Sequence, residues 1–334
     1  MTAHSETRAL LKRAPGVLEL TTVPLRPLRD DEVLLRVVAV GICGTDLHIA
    51  RDEYAHEPPV VLGHEIAGEV IAVGGAADAS LLGVTVVCET FASTCGRCEP
   101  CLSGRRNLCT ARRSLGSHDD GGFADFVIVP ARNLHPVPKG VDECHAPLLE
   151  PLACVTQSLL DPPVVNPGDQ VLVVGAGAIG LLAAQVVKAQ GAEPTVTGLA
   201  QDESRLEVAR GMGIPTRTGG PGRRDFDVAL ECSGSEHGLR DCLESTLPGA
   251  RVVQVGIFGH DVSVPMDRVL MKELVLSSGF ASTPRSWRRA LRLVERGLIE
   301  LAPLVTGTFP LERWLEGFSA AADGAELKVV LTPA

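Results

Sequence analysis

Aromatic side chains are scarce. Phe, Trp and Tyr make up 3% of the 334 residues, and Tyr54 is the single tyrosine. The cores must therefore be filled mainly by Val, Leu, Ala and Ile. A basic surplus is also missing: the formal net charge is -10, which argues against a nucleic-acid partner and implies little beyond solubility. Long apolar runs are absent too. The longest, residues 171–184, stops at Gln185 and contains Gly175, Gly177 and Gly180. It is too short and too rich in glycine for a membrane span, and reads as a buried strand followed by a packed helix. The first twenty residues carry scattered charges rather than the apolar stretch of a secretory signal, so a cytoplasmic location is expected.

What is present is enough apolar material, 45% of residues, for about two domains of ordinary size. The first third predicts β structure, with strands over 33–40, 69–73, 84–88 and 123–130 punctuated by glycine and proline, as in a β-barrel. After Pro151 the texture changes. An all-apolar strand over 171–174 is followed by a helix over 179–190 that Gly191 ends. Strands over 195–197, 227–231 and 251–255 then alternate with helices over 203–211 and 238–246. That alternation predicts a doubly wound parallel sheet. A further helix is predicted over 286–296, and an irregular, strand-like tail from Leu301. The predicted division is a first domain over 1–152, a second over 153–283, and a segment over 284–334 that returns to the first.

Cys95, Cys98, Cys101 and Cys109, spaced C-x2-C-x2-C-x7-C, are four of ten cysteines. Without an export signal, such clustering reads as a metal site rather than a disulfide framework. A closed structural zinc wants four thiolates, and Gly96 and Gly104 let one tight loop supply them. Free surface thiols would be an oxidation liability, and the spacing fits neither ferredoxin iron–sulfur pattern.

A second set is scattered: Cys43 in Gly-Ile-Cys-Gly-Thr-Asp-Leu-His48, His64 and Glu65 in Gly-His-Glu-Ile-Ala-Gly68, and Glu150 in Glu-Pro-Leu-Ala153. Singly, each has a bland reading: a small core thiol, a hydrogen-bonded structural histidine, a loop-ending acid. Together, and in this order along nearly the whole chain, they resemble the zinc-dependent medium-chain dehydrogenase/reductase family. The resemblance implies a GroES-like catalytic domain beside a Rossmann domain, two zinc ions per chain, NAD(P), and a homodimer or homotetramer. It implies that Cys43 and His64 bind the catalytic zinc, and that Glu65 binds it or sits just behind it. Glu150 in Glu-Pro-Leu matches the third ligand of the sorbitol and threonine dehydrogenase branch, with Cys154 as a rival. Thr45 and His48 match the family's proton relay. Tyr54, and Phe91 four residues before Cys95, are candidates to line the substrate pocket.

Such a site suits the chemistry. Hydride leaves most easily from an alkoxide, and a Lewis acid with an open position lowers the pKa of a bound alcohol and orients its oxygen.

Gly175-Ala-Gly-Ala-Ile-Gly180 is a G-x-G-x-x-G between a predicted strand and a predicted helix, the context that gives it meaning as a dinucleotide loop. Ala178 and Ile179 open that helix, whose N–H groups would face the pyrophosphate. Cys232, Val255 and Gly256 end later strands and resemble segments that contact the nicotinamide half. One departure stands out. An acidic residue is expected at the end of the second strand to hold the ribose 2′-hydroxyl, and Gly198 stands there. Arg205 could meet a 2′-phosphate, whereas Asp202 and Glu203 could replace the missing acid.

The leading expectation is an enzyme that interconverts a secondary alcohol and its ketone, with a polyol, sugar alcohol, aminocyclitol or amino alcohol as substrate. The alternatives are a zinc-independent quinone or enone reductase of the same fold and a non-catalytic dinucleotide-binding scaffold. Both sit poorly with two intact metal motifs.

Overall fold

The computed structural model describes residues 5–222, 225–324 and 326–333. Two compact units divide the chain, one of residues 1–150 with 305–334 and one of residues 151–304.

The first unit is β-rich. Its largest sheet is centred on the strand Glu32–Gly41, which pairs antiparallel with Glu65–Val73, Phe126–Pro130 and Val329–Thr332. Its core is filled by Leu10, Val33, Leu35, Ile66, Val70 and Val127, with Phe123 and Phe318 among the few rings. The hairpin of Glu6–Ala14 and Val17–Pro24 packs as a separate small sheet with Val60–Val61. Register decides where chemistry can occur. Gly41 pairs with Glu65 on one side and with Val330 on the other. Three segments remote in sequence therefore end at one place: Cys43 just beyond the first strand, His64 just before the second, and Lys328 just before the third. Gly41 has to be glycine, because a Cβ there would lie 1.9 Å from Glu65 Oε2.

The second unit holds, among the described residues, a six-stranded parallel sheet in the spatial order Thr216–Thr218, Glu193–Gly198, Gln170–Val174, Phe226–Glu231, Thr246–Gln254, Val275–Ser278. Numbered along the chain, that order is 3-2-1-4-5-6, the doubly wound Rossmann arrangement, with its switch point between Gln170–Val174 and Phe226–Glu231. Val171 to Val173 are fully buried, as an all-apolar parallel strand should be. The helix Ala178–Ala189 packs on them closely because residue 180 is glycine: a Cβ there would lie 1.9 Å from the Gly175 carbonyl oxygen. The two edge strands, Thr216–Thr218 and Val275–Ser278, escape sequence reading because they are short and lack a two-sided apolar run.

The division expected at residue 283 lies further on, since the second unit continues to Leu304. The helix Pro284–Glu295 is tied to the start of this unit. Thr156 Oγ1 donates to the Ser286 carbonyl at 2.9 Å, Thr283 Oγ1 donates to Gln157 Oε1 at 2.7 Å, and Trp287 is wholly buried. Gln185 pairs with the Glu300 backbone through both its amide groups. The change of texture at Leu301 marks the return better than the helix before it does. Trp287→Ala should cost about 3–5 kcal/mol of stability, the range for emptying a large aromatic site. Denaturant unfolding measures it, and a loss below about 1 kcal/mol would show that this helix does not anchor the unit.

Candidate active site

Among the described residues, two groups of side chains are spaced to hold a metal ion, and both lie in the first unit. One consists of Cys43, His64 and Glu65, whose ligand atoms all lie within 4.8 Å of one another. A buried carboxylate organises them. Asp46, in the first turn of the helix Gly44–Ala50, accepts from the Cys43 backbone N–H at 2.9 Å through Oδ2 and from the Gly63 N–H at 3.2 Å through Oδ1. The same Oδ1 lies 3.5 Å from His64 Nδ1. With Nδ1 turned to the carboxylate, Nε2 is left for a metal, the usual way of fixing a ligating imidazole.

Glu65 has a partner that the sequence did not advertise. The Lys328 ammonium, 6% exposed, lies 2.6 Å from Glu65 Oε1 and 2.5 Å from Oε2, and donates to the Ile42 carbonyl at 2.9 Å. Its one sequence signal is a lysine entering the apolar strand Val329–Thr332. Burial pushes the Glu65 carboxyl up, against the pull of Lys328, and nearby Glu150 pushes it further. Desolvation opposes the charged forms of Lys328 and His64. Both nevertheless stay above their usual values, Lys328 beside Glu65 and Cys43, His64 beside Asp46 and Cys43. The place is thus rich in buried anionic groups and favours a cation. One sulfur, one imidazole nitrogen and a carboxylate oxygen fit an open zinc site.

Glu150 opens the helix Leu149–Leu160, with Cys154 one turn further along it. Its Oε1 accepts from Thr90 Oγ1 at 2.8 Å, and it does not join the 4.8 Å group. Thr45 and His48, three residues apart, share one face of the short helix Gly44–Ala50. His48 is partly exposed, and its Nδ1 lies 2.8 Å from Glu53 Oε2. Tyr54 is half-buried against the core of the first unit. Phe91 is a packing residue, 2% exposed, with the guanidinium carbons of Arg106 and Arg112 at 5.9 and 5.3 Å from its ring centroid.

The second group is Cys95, Cys98, Cys101 and Cys109. The Cys95 and Cys101 sulfurs are 4.0 Å apart, and a tetrahedron with zinc–thiolate bonds has edges of about 3.8 Å. Backbone N–H groups of Cys98 and Cys95 donate to the Cys95 and Cys109 sulfurs, each at 3.4 Å. Backbone N–H groups of Arg97 and Cys98 lower the Cys95 thiol to about 6. Cys98, although the Cys101 N–H favours its thiolate, is pushed up to about 12 by desolvation and by its cysteine neighbours. The four sulfurs are spaced to hold a metal ion, which would keep them together as thiolates.

In the second unit, Gly175 turns the chain with φ of 112°, where a Cβ would meet Ser233 at 2.8 Å. Gly177 caps the following helix, whose first residues are Ala178 and Ile179. Cys232 donates its N–H to the Val174 carbonyl at 2.9 Å, and Val255 and Gly256 donate theirs to the Glu231 carbonyl at 2.9 and 2.8 Å. The strand ends at the switch point are thereby knitted together. Beside Gly198 the acids are engaged. Asp202 accepts from the Leu199 N–H at 2.9 Å and pairs with Arg205 at 3.3 Å, while Glu203 is held by Arg210 at 2.5 Å and Thr218 at 3.0 Å.

Two separate ligand sets imply about two zinc ions per chain. Metal analysis of the purified protein should find them, and Cys98→Ser should remove one. A content near one that Cys98→Ser leaves unchanged would eliminate the cysteine site.

Residues 29–139 match the alcohol dehydrogenase GroES-like domain family and residues 178–296 the zinc-binding dehydrogenase family. The chain is 35% identical to a sorbitol dehydrogenase of Halalkalibacterium halodurans, over 90% of this chain and 92% of that protein. It is 36% identical to an L-threonine 3-dehydrogenase of Saccharopolyspora erythraea, over 97% and 98%. Among solved structures, a zinc-binding dehydrogenase of Sinorhizobium meliloti bound to NADP superposes with a TM-score of 0.90 at 30% identity, covering 99% of this chain and 100% of that one. Galactitol-1-phosphate dehydrogenase of Escherichia coli does so with a TM-score of 0.86 at 26% identity, covering 98% and 100%. Among the described residues no helix is long and apolar enough to cross a membrane. The chain belongs to the zinc-type medium-chain dehydrogenases, in the sorbitol and threonine dehydrogenase branch, and is an NAD(P)-linked alcohol dehydrogenase.

Proposed function

We propose that the enzyme is zinc-dependent and oxidises a secondary alcohol of the polyol, sugar-alcohol, aminocyclitol or amino-alcohol class to its ketone, or runs the reverse reaction. The observation that carries this reading is the meeting of Cys43 with the buried His64 and Glu65 around one point, where Glu150 pushes the Glu65 carboxyl up. Relatives named for sorbitol, L-threonine and D-arabitol phosphate point to substrates with neighbouring polar groups. Zinc held by Cys43 and His64, with Glu150 completing the set and Glu65 binding it or sitting just behind, would polarise the substrate oxygen, and the nicotinamide would carry the hydride.

This chain's residues do the rest. Asp46 fixes the ligands. Glu150 serves as the third ligand of this branch in preference to Cys154, because a carboxylate can leave and rejoin the metal as oxygens exchange. Thr45 takes the alcohol proton, and His48, steadied by Glu53 and partly exposed, passes it to water.

Gly198 supplies no carboxylate of its own at the strand end; the Asp202 carboxylate packs against it but is engaged by the Leu199 N–H and by Arg205, and Glu203 is held by Arg210 and Thr218. That supports acceptance of NADP alongside NAD, with Arg205 at hand for a 2′-phosphate. A homodimer or homotetramer is the expected assembly. The edge strand Val275–Ser278 pairs on one side, and Leu270, Met271, Val275 and Leu276 around it are exposed, a surface suited to a second copy. Four closely packed cysteines kept as ligands suit the reducing cytoplasm.

A panel of polyols, aminocyclitols and amino alcohols, followed by nicotinamide absorbance with each cofactor, tests the reading. Turnover should appear on at least one vicinal diol or amino alcohol, disappear in Cys43→Ala, and show kcat/KM with NADP within about tenfold of NAD, or above it. Turnover that survives Cys43→Ala would defeat the zinc mechanism. A preference for NAD beyond roughly a hundredfold would show that Asp202 or Glu203 does the missing acid's work.

A further inference from the structure

Two clusters that chemistry separates, the cysteine lobe and the catalytic set, are joined by a three-residue segment. Glu89 is 1% exposed, and its carboxylate accepts from Arg106 and lies 3.1 Å from His135 Nε2. Phe91, two residues on, packs its ring under the same Arg106. Thr90, between them, gives its hydroxyl proton to Glu150 at 2.8 Å. The segment has little slack. Glu89 N–H donates to the Asn133 carbonyl at 2.9 Å, Leu115 N–H donates to the Thr90 carbonyl at 2.8 Å, and Asn133 Nδ2 reaches the Phe91 carbonyl. Arg106 in turn opens the helical turn Arg106–Leu108, and the N–H of Cys109, a ligand of the cysteine cluster, donates to the Arg106 carbonyl at 3.1 Å.

We propose that Glu89-Thr90-Phe91 is a strut between the cysteine lobe and the catalytic site, in which Thr90 is the positioning residue for the Glu150 carboxylate and Arg106 is the latch. The proposal rests on the reading that Glu150 serves the catalytic metal. A carboxylate ligand has two oxygens and free rotation at its end. The Thr90 hydroxyl holds one oxygen and so sets the plane of the carboxylate. Hydrogen bonds behind a metal ligand commonly set metal affinity in this way. Arg106 keeps Glu89 from being a buried charge without a cation, so it holds the whole segment in register with the Cys109 turn.

The test uses full-length protein loaded with cobalt and titrated against a chelator. The four-thiolate site and the mixed sulfur, nitrogen and oxygen site absorb differently and can be followed separately. Thr90→Val keeps the shape and deletes the hydroxyl. It should weaken cobalt at the mixed site by roughly 10- to 100-fold and leave the four-thiolate site at wild-type affinity. Thr90→Ser should restore the mixed site, and Arg106→Met should weaken it in the same direction. A merely structural Thr90 would lower the melting temperature while leaving the mixed-site spectrum and affinity alone, and that result overturns the proposal. Should Thr90→Val fail to fold, Arg106→Met with Thr90→Ser carries the same comparison. Glu150→Ala separates the two ideas. If it weakens the mixed site while Thr90→Val does not, the strut is wrong and the ligand reading stands. If Glu150→Ala itself binds cobalt like wild type, the ligand reading fails and the strut fails with it.

Discussion

One buried carboxylate, Asp46, holds the catalytic corner together. It grips the backbone at Cys43 and Gly63 and faces the His64 ring, and so it fixes two candidate ligands that arrive from different segments. The constraint behind it is the pairing of Gly41 with Glu65 and Val330, which brings three distant segments to one end of the sheet. Glycine at 41 is the condition for that approach, since any side chain would occupy the space of the Glu65 carboxylate. The C-terminal return is part of the site for the same reason: it delivers Lys328, the buried ammonium paired with Glu65.

The two metal clusters solve different problems. The cysteine cluster comes from one short loop, so its geometry needs little from the rest of the fold, and its four sulfurs are spaced to hold an ion. The catalytic group is assembled across the sheet and offers mixed donors with a competing ammonium beside one of them. A closed set of identical ligands holds a metal for structure. A mixed set, with a carboxylate that has somewhere else to go, keeps a position for substrate.

What could be read from sequence follows the same distinction. The cysteine lobe, the glycine loop and the helix Glu203–Gly211 depend on residues close in sequence, and local spacing revealed them. Cys43, His64 and Glu65 were recognisable because they sit in two short motifs. Lys328 was not, because it lies 263 positions from Glu65 and only strand register joins them. Thr90 escaped for a similar reason: its importance comes from Glu150, 60 residues away. The edge strands were too short and too polar to show a period. The end of the second unit was misplaced because Thr283 and Ser286 reveal their attachment only through hydrogen bonds to the helix Leu149–Leu160.

The most direct measurement is the zinc affinity of an Asp46→Asn protein, read separately at the two sites. The account gives Asp46 the task of orienting Cys43 and His64. The catalytic site should therefore lose roughly 10- to 100-fold in affinity while the cysteine site keeps its own. Wild-type affinity at both sites, in a folded protein, would contradict it.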